Sequence, residues 1–193
     1  MEQIMMLRFG DNPVDYEIPD GYEIRECRDN NKEDCNGWLK ACETLFETIE
    51  GGRWSEEKFI SDMINDPDCT AKNIFLICRK SDGAIAGTAT AKDGEKPSLH
   101  MVGVNKEFMG QGLAYPICAA AVNRMIENGD HRIMLLTDEF RIPAIKTYLK
   151  MGFRPWYYLD DMQERWRGVF KDLGFNPDDY FAYDKTSFRK VKI

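Results

Sequence analysis

Leu99–Met125, LHMVGVNKEFMGQGLAYPICAAAVNRM, decides the reading of the chain. Leu99, Met101, Val102 and Val104 make a short apolar run of strand type. Asn105 to Phe108 is a polar connection, and Gly110 and Gly112 stand where a helix should begin. Leu113, Ile117, Cys118, Ala121, Val122, Met125 and Ile126 then recur at helical spacing. A helix that starts just after glycines offers unpaired N–H groups and the positive end of its dipole. Without Cβ atoms at those glycines, a bulky anion can approach the N–H groups closely. The stretch therefore predicts a phosphate or pyrophosphate cradle at the end of a buried strand.

Two familiar phosphate-binding patterns do not fit. No Lys-Ser or Lys-Thr follows the glycines, as a P-loop requires. The dinucleotide fingerprint would place its third glycine at Tyr115, a residue too large for close helix–strand packing. Met109-Gly110-Gln111-Gly112-Leu113-Ala114, after Val104 at the strand end, instead resembles the acyl-CoA loop of the GNAT superfamily of N-acetyltransferases, Arg/Gln-x-x-Gly-x-Gly/Ala. Met109 replaces the first polar residue, Gly112 is the central glycine and Ala114 the last small residue. A second stretch, Arg141-Ile142-Pro143-Ala144 to Gly152-Phe153, resembles the family's Asn-x-x-Ala-x-x-x-Tyr-x-x-x-Gly-Phe. Ala144, Tyr148, Gly152 and Phe153 match, and Arg141 takes the place of Asn.

Outward from these stretches, periodicity predicts further elements. Ile4 to Phe9 reads as an edge strand in an N-terminal extension, and Tyr22 to Cys27 as a first core strand. Glu33 to Glu50 reads as one long amphipathic helix closed by Gly51-Gly52. Ser55 is an N-cap for a second helix. Ile74–Lys80 and Ala84–Ala91 form a hairpin about Ser81-Asp82-Gly83. Arg132 to Thr137 and Phe153 to Leu159 are strands on either side of a helix from Arg141 to Met151. Asp161 to Leu173 is an amphipathic helix capped by Gly174, followed by a tail that packs Tyr180, Phe181 and Tyr183 against the body.

The mixed order implies an α/β (α+β) fold. The resemblance refines this to a mostly antiparallel central sheet, splayed between two strands, with helices on both faces. The 193 residues suit a single domain: an extension at 1–20, a core over 22–159 and a C-terminal helix and tail at 160–193. A formal net charge of -7 argues against a nucleic-acid binder. No apolar run is long enough for a membrane span, and no signal peptide is evident. The six cysteines form no Cys-x-x-Cys pair and lack nearby histidines, so no metal is expected and a reducing cytoplasm is the simplest setting.

The resemblance implies acyl transfer from acetyl-CoA, used as a co-substrate, to the amine of a small molecule. It assigns the donor to Val102, Val104, Met109, Gly110, Gln111, Gly112, Leu113, Ala114, Arg141 and Ala144. Val102 and Val104 would offer backbone groups to the pantetheine, and the Val102 N–H would polarise the thioester carbonyl. Tyr148 matches the family's general acid; a phenol of pKa ~10 suits a leaving thiolate of pKa ~8.5. Spacing alone makes Tyr148 a core tyrosine on the apolar face of its helix.

An acceptor amine of pKa ~10 also needs a base. Leu99-His100-Met101-Val102-Gly103-Val104 resembles the Leu-His-x-x-x-Val strand of the arylalkylamine N-acetyltransferases, whose histidine helps deprotonate the amine, often through water. By alternation His100 falls on the same side as Val102 and Val104. A hydrogen-bonded strand histidine is the plain alternative, and Glu26, Glu47, Glu50, Asp138 and Glu139 are other candidate bases. Phe46, Glu47, Glu50, Gly51, Gly52, Arg53 and Trp54 would shape the acceptor pocket. Members of the fold often pair through their C-terminal elements, so a homodimer is among the expectations. Met109 and Arg141 keep a non-catalytic acyl-CoA-binding or regulatory domain as the alternative, beside an enzyme using another donor such as an aminoacyl group.

Overall fold

The computed structural model describes residues 2–46 and 54–193. In chain order they form β1 (Ile4–Phe9), β2 (Tyr22–Glu26), α1 (Lys32–Ala41), α2 (Glu43–Phe46), α3 (Glu56–Phe59), β3 (Ile74–Arg79), β4 (Ile85–Lys92), β5 (Ser98–Val104), α4 (Ala114–Glu127), β6 (Arg132–Thr137), α5 (Ile142–Lys150), β7 (Arg154–Trp156), α6 (Met162–Leu173), β8 (Phe181–Tyr183) and β9 (Lys190–Lys192). The chain divides into two compact units, residues 12–130 and residues 1–11 with 131–193. The expected α/β class, with mostly antiparallel pairing, is what both units adopt.

In the unit of residues 12–130, β2, β3, β4 and β5 lie side by side, all antiparallel. One face buries Ile74, Leu76, Cys78 and Ile85 with Trp38 and Cys42 of α1's turn and with Phe59 and Met63. Trp38 and Met63 are almost wholly enclosed. The other face receives α4, whose Ile117, Cys118, Ala121, Val122 and Met125 are fully buried. Asn31 caps α1 by accepting from the Asp34 N–H at 2.9 Å. Ser55 caps α3 by accepting from the Lys58 N–H at 3.2 Å, and that helix runs on through a π-type turn, Ile60–Ile64.

The single helix expected over 33–50 closes after Ala41, where the Cys42 N–H turns back to Trp38 and Lys40. Leu45 of α2 still packs against the same apolar cluster. A one-residue turn of this kind leaves the apolar stripe facing one way, so periodicity cannot register it. The remainder of that expected helix, residues 47–50, lies outside the described residues.

In the unit of residues 1–11 and 131–193, the strand order is β6, β1, β7, β8, β9. β1 is antiparallel to β6 (Ile4↔Thr137 through Phe9↔Arg132) and to β7 (Met5↔Trp156). The N-terminal strand expected at an edge is therefore interior to its sheet. Its four consecutive apolar residues, Ile4-Met5-Met6-Leu7, suit a strand covered on both faces. Ile4, Met6, Ile133 and Leu135 are at most 1% exposed. The tail contributes two strands: β8 runs parallel to β7, and β9 antiparallel to β8. Gly174, at φ +66, ends α6 in the left-handed region that favours glycine.

Candidate functional site

The strand that opens the decisive stretch is not regular. β4 and β5 pair as Ala91↔Leu99 and Thr90↔His100, and then as Thr88↔Gly103 and Gly87↔Val104. β5 spends three residues where β4 spends two, and Met101 sits at φ +45. This is a β-bulge, and it takes one residue of β5 out of the ladder beside Val102. It also reverses the expected sidedness. Thr90 and Thr88 lie opposite Ile74 and Leu76 of the α1 face, so His100 and Gly103 occupy that face. Val102 and Val104 fall on the α4 face. The expectation that His100 shares a side with the two valines fails because alternation assumes an unbroken period of two. Gly103 confirms the assignment: a Cβ there would come 2.4 Å from the Ala41 carbonyl oxygen at the end of α1.

Beyond β5 the chain makes a 3-10 turn at Lys106–Phe108, capped by the buried Asn105 side chain. Phe108 is buried edge-on to Tyr22 under the Arg79 guanidinium. Lys40 pairs with Glu107 at 2.8 Å, and the Tyr22 hydroxyl donates to Gln111 Oε1 at 2.5 Å. The turn is thus tied to α1, β2 and β3, while Met109, Gly110, Gln111 and Gly112 remain exposed. Gly110 and Gly112 have φ +79 and +75, and a Cβ on either would meet nothing within 4 Å. Both positions need glycine for conformation, and they leave the approach open.

Leu113, 2% exposed, anchors the start of α4. The first helical N–H with an acceptor here is that of Ile117, which donates to the Leu113 carbonyl at 3.4 Å. The N–H groups of Gly110, Gln111, Gly112, Leu113, Ala114 and Tyr115 have no acceptor among the described residues. Consecutive free donors at the positive end of a 14-residue helix are what an anionic diphosphate requires.

His100 is half-buried. Burial lowers its pKa below the ordinary histidine value; the charge of Lys92 lowers it further and that of Asp66 opposes the shift. The ring is therefore neutral at neutral pH and able to accept a proton. Three other candidate bases are already engaged. Glu26 accepts from Arg124 at 2.8 Å, Asp138 from Arg141 at 2.8 Å and from Gln3, and Glu139 from Arg165. Glu47, Glu50, Gly51, Gly52, Arg53 and the Phe46 side chain lie outside the described residues. Trp54 is described: its ring lies 5.5 Å from that of Trp38, with the Lys58 ammonium over it.

In the other unit, Tyr148 sits on α5, 6% exposed and edge-on to Phe153 at 6.2 Å. Arg141 precedes α5, its guanidinium on Asp138 and over the exposed Phe140 ring, and its carbonyl accepts from the Ala144 and Ile145 N–H groups. Ala144 is partly exposed at the start of that helix. The sequence reading missed the Met101 bulge, the tether from Tyr22 to Gln111 and the burial of Thr90 opposite His100. None has a local sequence signal, since each depends on which strand pairs with which.

The model of the acetyltransferase (GNAT) family matches residues 32–153. The chain is 27% identical over 150 residues to a mycothiol acetyltransferase of Arthrobacter sp. (strain FB24), covering 74% of this chain and 45% of that protein. It is 33% identical over 164 residues to a mycothiol acetyltransferase of Kocuria rhizophila, covering 76% and 50%. The chain spans about half the length of the curated relatives it matches. The crystal structure of a GCN5-related N-acetyltransferase from Sphaerobacter thermophilus shares the fold with TM-score 0.61 at 19% identity, over 80% of this chain and 48% of that one.

Proposed function

The chain belongs to the acetyltransferase (GNAT) family, and from that premise we propose that it transfers an acetyl group from acetyl-CoA to the amine of a small molecule by direct attack. One observation carries the proposal: six successive residues, Gly110 to Tyr115, whose N–H groups have no acceptor among the described residues, on a turn that no side chain crowds. They fit the diphosphate of a CoA thioester. Val102 and Val104 offer backbone groups to the pantetheine, and the Val102 N–H, beside the bulge, supports the oxyanion. The family pattern assigns Met109, Arg141 and Ala144 to the donor as well.

His100, held neutral by burial, accepts a proton from the acceptor's ammonium group. The free amine then attacks the thioester carbonyl, and the thiolate leaves with a proton from Tyr148. The name shared by the relatives supports a mycothiol-related amine as the first acceptor to try. Six free, buried cysteines support a reducing compartment, the cytoplasm. Among the described residues no helix is long and apolar enough to cross a membrane.

Thiol release is the test. The protein with acetyl-CoA and a panel of amines, mycothiol-related ones included, is expected to release CoA thiol only when an acceptor is present. Tyr148→Phe is expected to lower kcat about 10- to 100-fold with little change in KM. Donor binding without turnover of any amine would support the non-catalytic reading instead.

A further inference from the structure

Thr90 lies on β4 directly opposite His100 on β5 and is fully buried. Its partner on β3 is Ile74, part of the cluster beneath α1, so Thr90 and His100 share that face of the sheet. Thr88, two residues earlier on the same face, settles its hydroxyl within the sheet by donating to the Phe75 carbonyl at 3.0 Å. Thr90 has no such arrangement. Its Oγ1 is buried without a hydrogen-bond partner among the described residues. A buried hydroxyl left unsatisfied is costly and uncommon, and valine would fill the same space without that cost. Side chains directly opposed on antiparallel strands hold their Cβ atoms about 4.5–5.5 Å apart. A water needs two or more polar partners to be held in such a place, and the hydroxyl and the imidazole supply two.

We propose that Thr90 is a positioning residue for proton transfer: its hydroxyl holds the water through which the acceptor's ammonium group reaches His100. This rests on the reading of His100 as the base. The ammonium gives one proton to the water while the water gives one to the unprotonated ring nitrogen. The products are a neutral amine with its lone pair free, an intact water and an imidazolium. The imidazolium then loses its proton to solvent. Among the described residues, the charged groups acting on the ring are Lys92 and Asp66, themselves paired at 2.5 Å; the Lys92 cation favours that release.

Thr90→Val, Thr90→Ser and His100→Ala are to be compared in the full chain, with acetyl-CoA and an accepted amine, from pH about 6 to about 10. Thr90→Val is expected to lower kcat about tenfold near neutral pH and to leave the KM for acetyl-CoA within about twofold. Its Tm should stay within a few degrees of the wild type, since the valine keeps the side-chain shape and gives up only one water-mediated hydrogen bond. The deficit should shrink as the pH nears the acceptor's own pKa, where the amine arrives already deprotonated. Thr90→Ser should recover most of the lost kcat. Wild-type kcat in Thr90→Val at every pH would overturn the proposal; if His100→Ala still flattens the acid limb, the base reading survives alone. An unchanged pH–rate profile in His100→Ala removes both.

Discussion

Gly112 and Gly103 are both small for reasons that differ, and substitutions at the two separate function from stability. At φ +75 a side chain on Gly112 costs roughly 1–2 kcal/mol of backbone strain but meets no neighbour. Gly112→Val should therefore fold with a Tm lower by a few degrees, while its KM for acetyl-CoA rises about tenfold or more because the side chain stands over the free N–H groups. At Gly103 the added Cβ would strike the main chain of α1. Gly103→Ala should lose about 2–3 kcal/mol, seen as a Tm fall of roughly 4–10 °C in thermal denaturation.

Asp34 is the charged counterpart of these two. It is fully buried at the start of α1. Burial alone would raise its carboxyl; hydrogen bonds from the Arg25 and Arg28 guanidiniums and the Arg28 N–H outweigh burial and hold it well below the usual carboxylate range. A carboxyl depressed in the folded state stabilises the fold above its unfolded pKa of ~3.9 and loses that contribution as pH falls toward the folded value. Asp34→Asn should cost about 3 kcal/mol at neutral pH. Its Tm gap from the wild type should narrow as pH drops below about 4.

Between residue and molecule stand the elements, and two of them behave in ways periodicity does not foresee. β1 was readable as a strand from Ile4 to Phe9, but it was read as an edge strand and is covered instead. Its partners β6 and β7 lie more than a hundred residues downstream, so no local signal could place it between them. Removing residues 2–9 should expose the flanking strands, and amide hydrogen exchange in β6 and β7 should rise by several orders of magnitude. β5 was equally readable as a strand, with both ends nearly right. Its bulge at Met101 was not, because a bulge is defined against the partner strand. That one extra residue moves His100 to the face of Thr90 and away from Val102 and Val104.

At the scale of the whole molecule, the donor is expected to act as a stabilising ligand. Acetyl-CoA at about a hundred times its Kd should add about 2.7 kcal/mol to the folded state and raise Tm by roughly 5–10 °C. Free adenosine, which lacks the diphosphate, should give no comparable shift. Equal shifts from the two would remove the diphosphate cradle as the source of affinity. The unit of residues 12–130 carries the glycine turn, and the unit of residues 1–11 and 131–193 carries Tyr148.

What the amino-acid order determined by itself was local. Glycine at two left-handed positions, the caps at Asn31 and Ser55, the apolar stripes of α4 and α6 and the family pattern through Tyr148 are all set within a few residues of chain. The tertiary structure alone decided what lies opposite what: β1 inside its sheet, the bulge that follows His100, and a buried threonine hydroxyl on the residue paired with it. Caps and stripes follow from torsion angles and side-chain spacing that a short segment carries with it, whereas register and burial come into being only when distant segments compete for the same hydrogen bonds.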